Sequence, residues 1–219
     1  MPEAKDFQFR LGFDHNEQIK ICTAQLEALR DGFEAHWEKL SNDDGYMKEY
    51  KNLAKHIIRV SSESCDHQHT VDFVTKSVLA HLELSAQTAN RALMGHLRDS
   101  KKLAHEHMVP IQAALKHLLS LKGERLEEPL RKVGYRALIL RSEADEHLDR
   151  RGNPLRNNVP QEVIEHGVPL QFWGLARYEK AVLFDELEPI TQRAKDLHAA
   201  YEPERNKVRS VMGLPPISA

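Results

Sequence analysis

The chain has 219 residues, of which 41% are hydrophobic, 29% are charged and 6% are aromatic. Its formal net charge of −2 gives no overall basic character, which argues against nucleic-acid binding. High charge with few aromatic residues, and only ten glycines and ten prolines, favours an all-α fold with coiled-coil-like packing. No uninterrupted apolar run is longer than that of residues 137–140, which is too short to cross a bilayer.

Two helices are predicted after an N-terminal arm. Residues 1–13 alternate apolar and polar side chains, and we interpret them as an arm packed on the rest of the protein, or at most a short strand. Asp14 and Glu17 form a capping-box-like pair that starts the first helix, whose apolar positions recur up to Leu40. A second helix is predicted over residues 46–60.

The central stretch, residues 70–128, shows the longest helical pattern. Its apolar residues follow in steps of three and four, with Ser100 filling one gap: Val71, Val74, Val78, Leu82, Ala86, Ala89, Leu93, Leu97, Ala104, Met108, Ile111, Leu115 and Leu118. This pattern predicts one amphipathic helix, about 85–90 Å long and kinked at Pro110. The alternative is two or three ordinary helices joined by short turns.

The C-terminal part continues the helical spacing to Arg151, where the clearest break follows. A short helix over residues 160–166 and a last helix over 173–201 are predicted next. The predicted fold class is all-α, with long, proline-kinked amphipathic helices in an antiparallel bundle. Its parts are an arm (1–13), a long-helix bundle core (14–151), a linker and C-terminal helix packed on the bundle (152–202), and a loosely ordered tail (203–219).

Thirteen histidines raise the question of a metal site. Four fall on one flank of the predicted long helix: His81, His96, His107 and His117. Neighbours among them are about 15–22 Å apart along the axis, so they cannot share an ion without ligands from other helices. Residues 13–17 and 105–107 resemble the histidine segments of hemerythrin-like iron proteins, but Ser85 stands four positions after His81, and the chain has no Glu-x-x-His pair.

Cys65, His67 and His69 form the densest group of ligand residues. Thiolate and imidazole ligands suit zinc or copper, and all three side chains converge if this segment is an extended loop. The alternative is a polar loop between helices. Neither Cys22 nor Cys65 belongs to a C-x-x-C pair, and the charged N-terminal segment does not resemble a signal peptide. We therefore expect reduced thiols in the cytoplasm.

A basic strip is the most suggestive charge feature. Residues 129–142 contain four cations and no acid, and further cations lie before them; together the strip comprises Lys101, Lys102, Arg125, Arg131, Lys132, Arg136 and Arg141. Such a strip is a candidate surface for anionic lipid headgroups, where each cation contributes on the order of 1 kcal/mol. The alternative is a solvated helix face paired with neighbouring acids.

Two segments resemble the BAR and F-BAR superfamily. Residues 46–55, Tyr-Met-Lys-Glu-Tyr-Lys-Asn-Leu-Ala-Lys, are similar to an early helix of that family, and residues 105–122 are similar to a later helix in which a histidine precedes spaced leucines and lysines. The resemblance implies an elongated antiparallel helical dimer with proline-kinked helices. It also implies a basic surface that binds curved membrane.

No nucleophile elbow, phosphate-binding loop or dinucleotide fingerprint occurs in the sequence, and we assign no catalytic residue. The expected function is that of a non-enzymatic helical scaffold or interaction protein. We expect a homodimer that binds a partner protein or an anionic membrane surface. The alternatives are a metal-binding helical bundle holding iron, zinc or copper, and a structural subunit of a larger assembly.

Overall fold

A computed structural model describes residues 15–35, 44–62, 71–84, 102–148 and 158–217. The helices are α1 His15–Ala35, α2 Asp44–Ser61, α3 Lys76–His81, α4 Ile111–Ser120, α5 Glu127–Val133, α6 Arg141–Glu143, α7 Gln161–Glu165, α8 Leu170–Lys180, α9 Gln192–Tyr201 and α10 Arg205–Val211. The strands are β1 Phe73–Thr75, β2 Leu103–His107, β3 Arg136–Leu140 and β4 Leu187–Pro189. A π-helical turn, Ala144–Leu148, continues α6, and 3₁₀ turns at Phe184–Glu186 and Glu202–Glu204 lead into β4 and α10.

The strands form one mixed sheet in the order β2-β3-β1-β4. β1 runs parallel to β3 and antiparallel to β4, so Phe73 lies between Ala137 and Pro189. β2 runs antiparallel to β3, with Glu106 opposite Ala137 and His107 opposite Arg136. Because successive side chains of a strand point to opposite faces, the side chains of Glu106 and His107 lie on opposite faces of the sheet.

The sheet is covered on both faces. Phe73, Ala137 and Ile139 belong to the main core, which includes buried residues of α1, α2, α4, α5, α8 and α9. Val74 and Leu138 belong to a smaller apolar cluster that includes residues of α3. The sheet is therefore an internal layer on which the helices pack, and it positions the polar side chains of β2.

The prediction of an all-α fold is wrong, because a four-stranded sheet lies at the centre of the protein. The predicted long helix over residues 70–128 is wrong as well: its described residues form β1, α3, β2 and α4. The strands β1 and β2 are three and five residues long. Such short strands contain too few residues to establish a period of two, so their apolar positions matched helical spacing.

Pro110 begins a helix and does not kink one. It is the N-cap residue of α4, with φ −56° and ψ 134°. Proline suits this position because its fixed φ is compatible with a helix start and its missing N–H would have no partner in the first turn.

The apolar run 137–140 is the second source of error. It lies in β3, where Ala137, Leu138 and Ile139 are all fully buried. A continuous apolar run is typical of a strand covered on both faces, as this one is. β3 therefore interrupts the helical pattern that was predicted to continue to Arg151, with α5 before the strand and α6 after it.

The other helices were predicted with mixed success. α1, α2 and α7 confirm the two N-terminal helices and the short helix near 160. The predicted last helix is divided into α8 and α9 by β4, and α10 lies in the segment predicted as a loose tail, where Val208 is 2% exposed. The predicted arm, residues 1–13, lies outside the described residues.

Candidate functional site

α1 and α2 form an antiparallel helical pair. Near one end Gln18 Nε2 donates to the Val60 carbonyl, and near the other the rings of Phe33 and Tyr50 stack with centroids 4.5 Å apart. The Tyr50 hydroxyl also donates to the Leu29 carbonyl at 3.3 Å. These contacts fix the two helices side by side, with their sequence directions opposed.

One side of this pair is fastened to the rest of the protein. Arg30 of α1, which is 4% exposed, donates from Nη1 to the carbonyls of Leu121 and Glu124 at 2.6 and 2.7 Å. The Leu126 amide donates to Glu27 Oε1 at 2.7 Å. The α4–α5 connection therefore determines which side of α1 faces the core and which faces away from it.

The opposite side carries an apolar groove of about 590 Å³ between the two helices. Its lining residues are Gln25, Ala28, Leu29, Leu53, His56, Ile57 and Val60. Leu53 is 49% exposed, and Ile21, one turn before Gln25, is 41% exposed. We call this surface the α1–α2 face. Exposed apolar side chains beside a groove are typical of a surface that binds another protein.

The two outer flanks of the α1–α2 face differ in charge. At 100° per residue, Lys48, Lys55 and Arg59 share the flank of α2 that lies farther from α1. The corresponding flank of α1 carries Glu17 and Asp31, together with the partly exposed Glu27 and with Lys20. The groove therefore lies between an acidic flank on α1 and a basic flank on α2.

The predicted basic strip is divided among different elements. Arg136 is in β3 and only 4% exposed, whereas Lys132 of α5 and Arg125 before it are exposed. Arg131 of α5 donates to Asn16 Oδ1 at 3.0 Å and to Glu127 Oε1 at 2.9 Å. The strip therefore does not form one helix face.

The remaining cations of the strip lie near the start of β2 and the end of β3. Lys102 is exposed immediately before β2. Arg141, the first residue of α6, is exposed and donates to the Leu103 carbonyl at 3.4 Å. Lys101 lies outside the described residues. Membrane binding through the strip remains a prediction.

The predicted metal ligands Cys65, His67 and His69 also lie outside the described residues. Within the described ranges, no group of three or more His, Cys, Asp or Glu side chains is arranged to hold a metal ion. His81, His107 and His117 lie on three separate elements, α3, β2 and α4. The long helix that was expected to align them does not exist.

His107 of β2 is held as a neutral imidazole. Its Nε2 lies 3.0 Å from Ser62 Oγ. The Ser62 hydroxyl itself donates a hydrogen bond to the Arg59 carbonyl at 2.7 Å. Nε2 is therefore the donor, and Nδ1 carries the lone pair. Burial, together with the positive charges of Arg136 and Arg59, lowers the pKa of His107 to about 3.

A second group of polar residues lies on the face of the sheet that packs against the main core. We call it the acidic cluster, and its members are Glu106 of β2, Glu143 of α6, Thr75 of β1 and Tyr178 of α8. Glu143 Oε2 accepts hydrogen bonds from Thr75 Oγ1 at 2.9 Å and from the Leu140 amide at 2.8 Å. These two donors fix the carboxylate at the ends of β1 and β3.

Tyr178 completes the acidic cluster. Its side chain is fully buried, and its hydroxyl has no hydrogen-bond partner in the structure. Burial raises the pKa of Tyr178, the negative charges of Glu106 and Glu143 raise it as well, and Arg177 lowers it. The phenol therefore stays protonated close to two carboxylates.

Sequence reasoning noted His105-Glu106-His107 only as a histidine segment and missed the rest of the acidic cluster. Thr75 and Glu143 are 68 residues apart and meet through a parallel strand pair that was not predicted. The one available signal was the apolar run 137–140 followed by an acid three residues later. That pattern suits a buried strand that leads into a helix whose first turn is capped by the acid.

No protein-family model, curated protein or solved structure matches the chain. Of the helices in the described ranges, none combines the length and apolar character needed to cross a membrane.

Proposed function

We propose that the protein is a non-enzymatic helical interaction protein of the cytoplasm that forms a homodimer through the α1–α2 face. The observation that carries the proposal is the apolar groove flanked by Leu53 and Ile21, which are 49% and 41% exposed on the side of the helical pair turned away from the core. A second copy of the same face covers these apolar side chains.

Charge selects one arrangement of the two copies. A two-fold axis parallel to the helices places α1 of one protomer over α2 of its partner. The acidic flank of α1, with Glu17 and Asp31, then meets the basic flank of the partner's α2, with Lys48 and Lys55. An axis perpendicular to the helices would instead bring like charges together, which is unfavourable.

The size of the face indicates a weak dimer. α1 has 21 residues and is about 30 Å long, and two helices packed side by side are about 20 Å wide. The face therefore offers about 600 Å² per protomer, near the lower limit for a specific interface. We expect a dissociation constant in the micromolar range.

Sedimentation velocity across a micromolar concentration series tests the dimer. Leu53→Glu is expected to give a monomer at every concentration, because a charge would be buried at the centre of the interface. Ile164→Glu is the matched control: Ile164 of α7 is 53% exposed and lies away from the face, so this variant should dimerise like the unmodified chain. A wild-type chain that stays monomeric would overturn the proposal.

Charge reversal tests the arrangement. The pair Lys48→Glu and Lys55→Glu makes both flanks acidic, and the pair Glu17→Lys and Asp31→Lys makes both basic. Each double variant alone should be monomeric. A one-to-one mixture should form a heterodimer, since both contacts then join opposite charges. A mixture that remains monomeric would contradict the arrangement with the axis parallel to the helices.

Other occupants of the face give different outcomes. A chain that is monomeric but pellets with anionic phosphatidylserine vesicles, and loses this on Lys48→Glu and Lys55→Glu, would make the basic flank a membrane-binding surface. That result would replace the homodimer.

A further inference from the structure

A titratable side chain, His56 of α2, lies in the apolar groove of the α1–α2 face. In the single protomer it is exposed to water. It lies between the two hydrogen bonds that pair α1 with α2, level with residues 22–23 of α1. Gln25, Leu53 and Ile57, which carry no charge, line the groove with it. A second copy of the face covers the groove, so His56 passes from water into the interface when the homodimer forms.

The charges on α2 do not favour a protonated His56. Its neighbours along the helix include two cations, Lys55 directly before it and Arg59 one turn after it. Among the described residues of α2, the nearest acid on the same side of the helix is Glu49. Glu49 is seven residues away, which is about 10 Å along the helix axis.

The charges on α1 do not favour it either. Among the described residues of α1, the nearest charge to this level is the cation Lys20, and the acids Glu17 and Glu27 lie roughly 7–8 Å away along the axis. A two-fold axis parallel to the helices keeps each residue at its level, so the α1 of the second copy presents the same stretch to His56. α4 and α5 contact α2 on the side of Ala54, about 160° around the helix from His56.

We propose that His56 makes the homodimer sensitive to pH, so that the dimer forms around a neutral imidazole and dissociates when the imidazole takes up a proton in mildly acidic solution. This inference rests on the proposed function, because His56 is covered only when two α1–α2 faces meet. Histidine is the side chain that ordinarily changes its charge between about pH 5 and 8. In the protomer a protonated imidazole stays hydrated, whereas in the interface it would lose its hydration beside Lys55 and Arg59. Protons bound by the protomers and excluded by the dimer shift the equilibrium towards the protomers.

Sedimentation velocity of the full-length protein at about pH 7.5 and about pH 5.5, over the same concentration series, tests the pH dependence. The dissociation constant of the unmodified chain should be roughly tenfold larger, or more, at the lower pH. His56→Gln should dimerise at the higher pH and lose most of this difference, since glutamine is polar and does not titrate. His56→Leu should dimerise at both pH values, which keeps the test valid if glutamine weakens the interface.

His166→Gln is the matched control. His166 is exposed at the end of α7, away from the α1–α2 face, so this variant should keep the full pH dependence. The effect of acid on the fold through His107 is common to all of these variants. A difference between the His56 variants and the control therefore reports on the groove.

The homodimer and its pH dependence can fail separately. A chain that is monomeric at the higher pH would overturn the homodimer, and the role of His56 with it. A chain that dimerises equally well at both pH values would overturn only the role of His56. The same conclusion would follow if His56→Gln and His56→Leu both kept the full pH dependence.

Discussion

Asp72 and Arg193 form a bidentate ion pair inside the protein. Asp72 Oδ1 and Oδ2 accept from Arg193 Nε and Nη2, both at 2.6 Å, and the carboxylate side chain is fully buried. Asp72 also accepts from Thr191 Oγ1 at 2.9 Å and from the Arg136 amide at 3.0 Å. One carboxylate thus joins the start of β1, the start of β3 and the start of α9.

Asp72→Asn should destabilise the protein strongly. The substitution leaves Arg193 without its counter-ion. Burial lowers the pKa of this guanidinium, but the charge and hydrogen bonds of Asp72, together with a smaller contribution from Tyr135, raise it above its ordinary value. Breaking a buried pair by removing one partner typically costs about 3–5 kcal/mol. Urea denaturation measures the loss. Asp185→Asn is the control, because Asp185 is an exposed partner of Arg205, and its change should be below about 1 kcal/mol.

Acid should destabilise the fold through His107. Its pKa is about 3 in the folded protein, against an ordinary value of 6.5, so between these values the unfolded chain binds the proton and the folded chain does not. The contribution of His107 to stability is therefore complete above about pH 6.5 and is lost as the pH falls toward 3. Each unit of pKa difference corresponds to about 1.4 kcal/mol, so we expect a loss on the order of 5 kcal/mol over this window.

Urea denaturation at several pH values measures this effect. His107→Gln should flatten the profile between about pH 6.5 and 4, since glutamine does not titrate. His166→Gln serves as the control, because His166 is exposed at the end of α7 and its replacement should leave the profile intact. An unchanged slope in His107→Gln would show that other groups carry the acid sensitivity.

Two glycines in helices should respond to alanine in opposite ways. A Cβ at Gly174 of α8 would lie 3.2 Å from Met108 Cβ and 3.3 Å from the Met108 carbonyl carbon. Gly174→Ala should therefore destabilise by about 1–3 kcal/mol through overpacking. A Cβ added at Gly32 of α1 has no atom within 4 Å, so Gly32→Ala should stabilise the folded protein by about 0.5–1 kcal/mol. Thermal unfolding of both variants at one protein concentration gives the comparison.

The parts of the fold that could be predicted from the sequence are those that form locally. α1 and α2 contain 21 and 18 residues, enough for several turns to repeat the apolar spacing. The strands could not be predicted in this way. β1 contains three residues, and what makes it a strand is its pairing with β3 and β4, which lie far away in the chain.

The acidic cluster could not be predicted for the same reason. Glu106 was visible in the sequence, but its relation to Glu143 and Tyr178 exists only once β2 and β3 pair and α8 packs over them. By contrast, the side chains that share the α1–α2 face can be predicted from helical spacing. Each of the two helices contributes both groove residues and flanking charges, and the angle of each residue around its helix is known from the sequence.

The position of β4 beside β1 determines when the protein can fold during synthesis. Phe73 pairs with Pro189, 116 residues later, so β1 has no antiparallel neighbour until nearly all of the chain has been made. Contacts between such distant residues form slowly. A chain cut before residue 191 would also lack Thr191 and Arg193, the partners of Asp72. The first strand and the last helices therefore belong to one folding unit, and expressing either without the other would yield an unstable fragment.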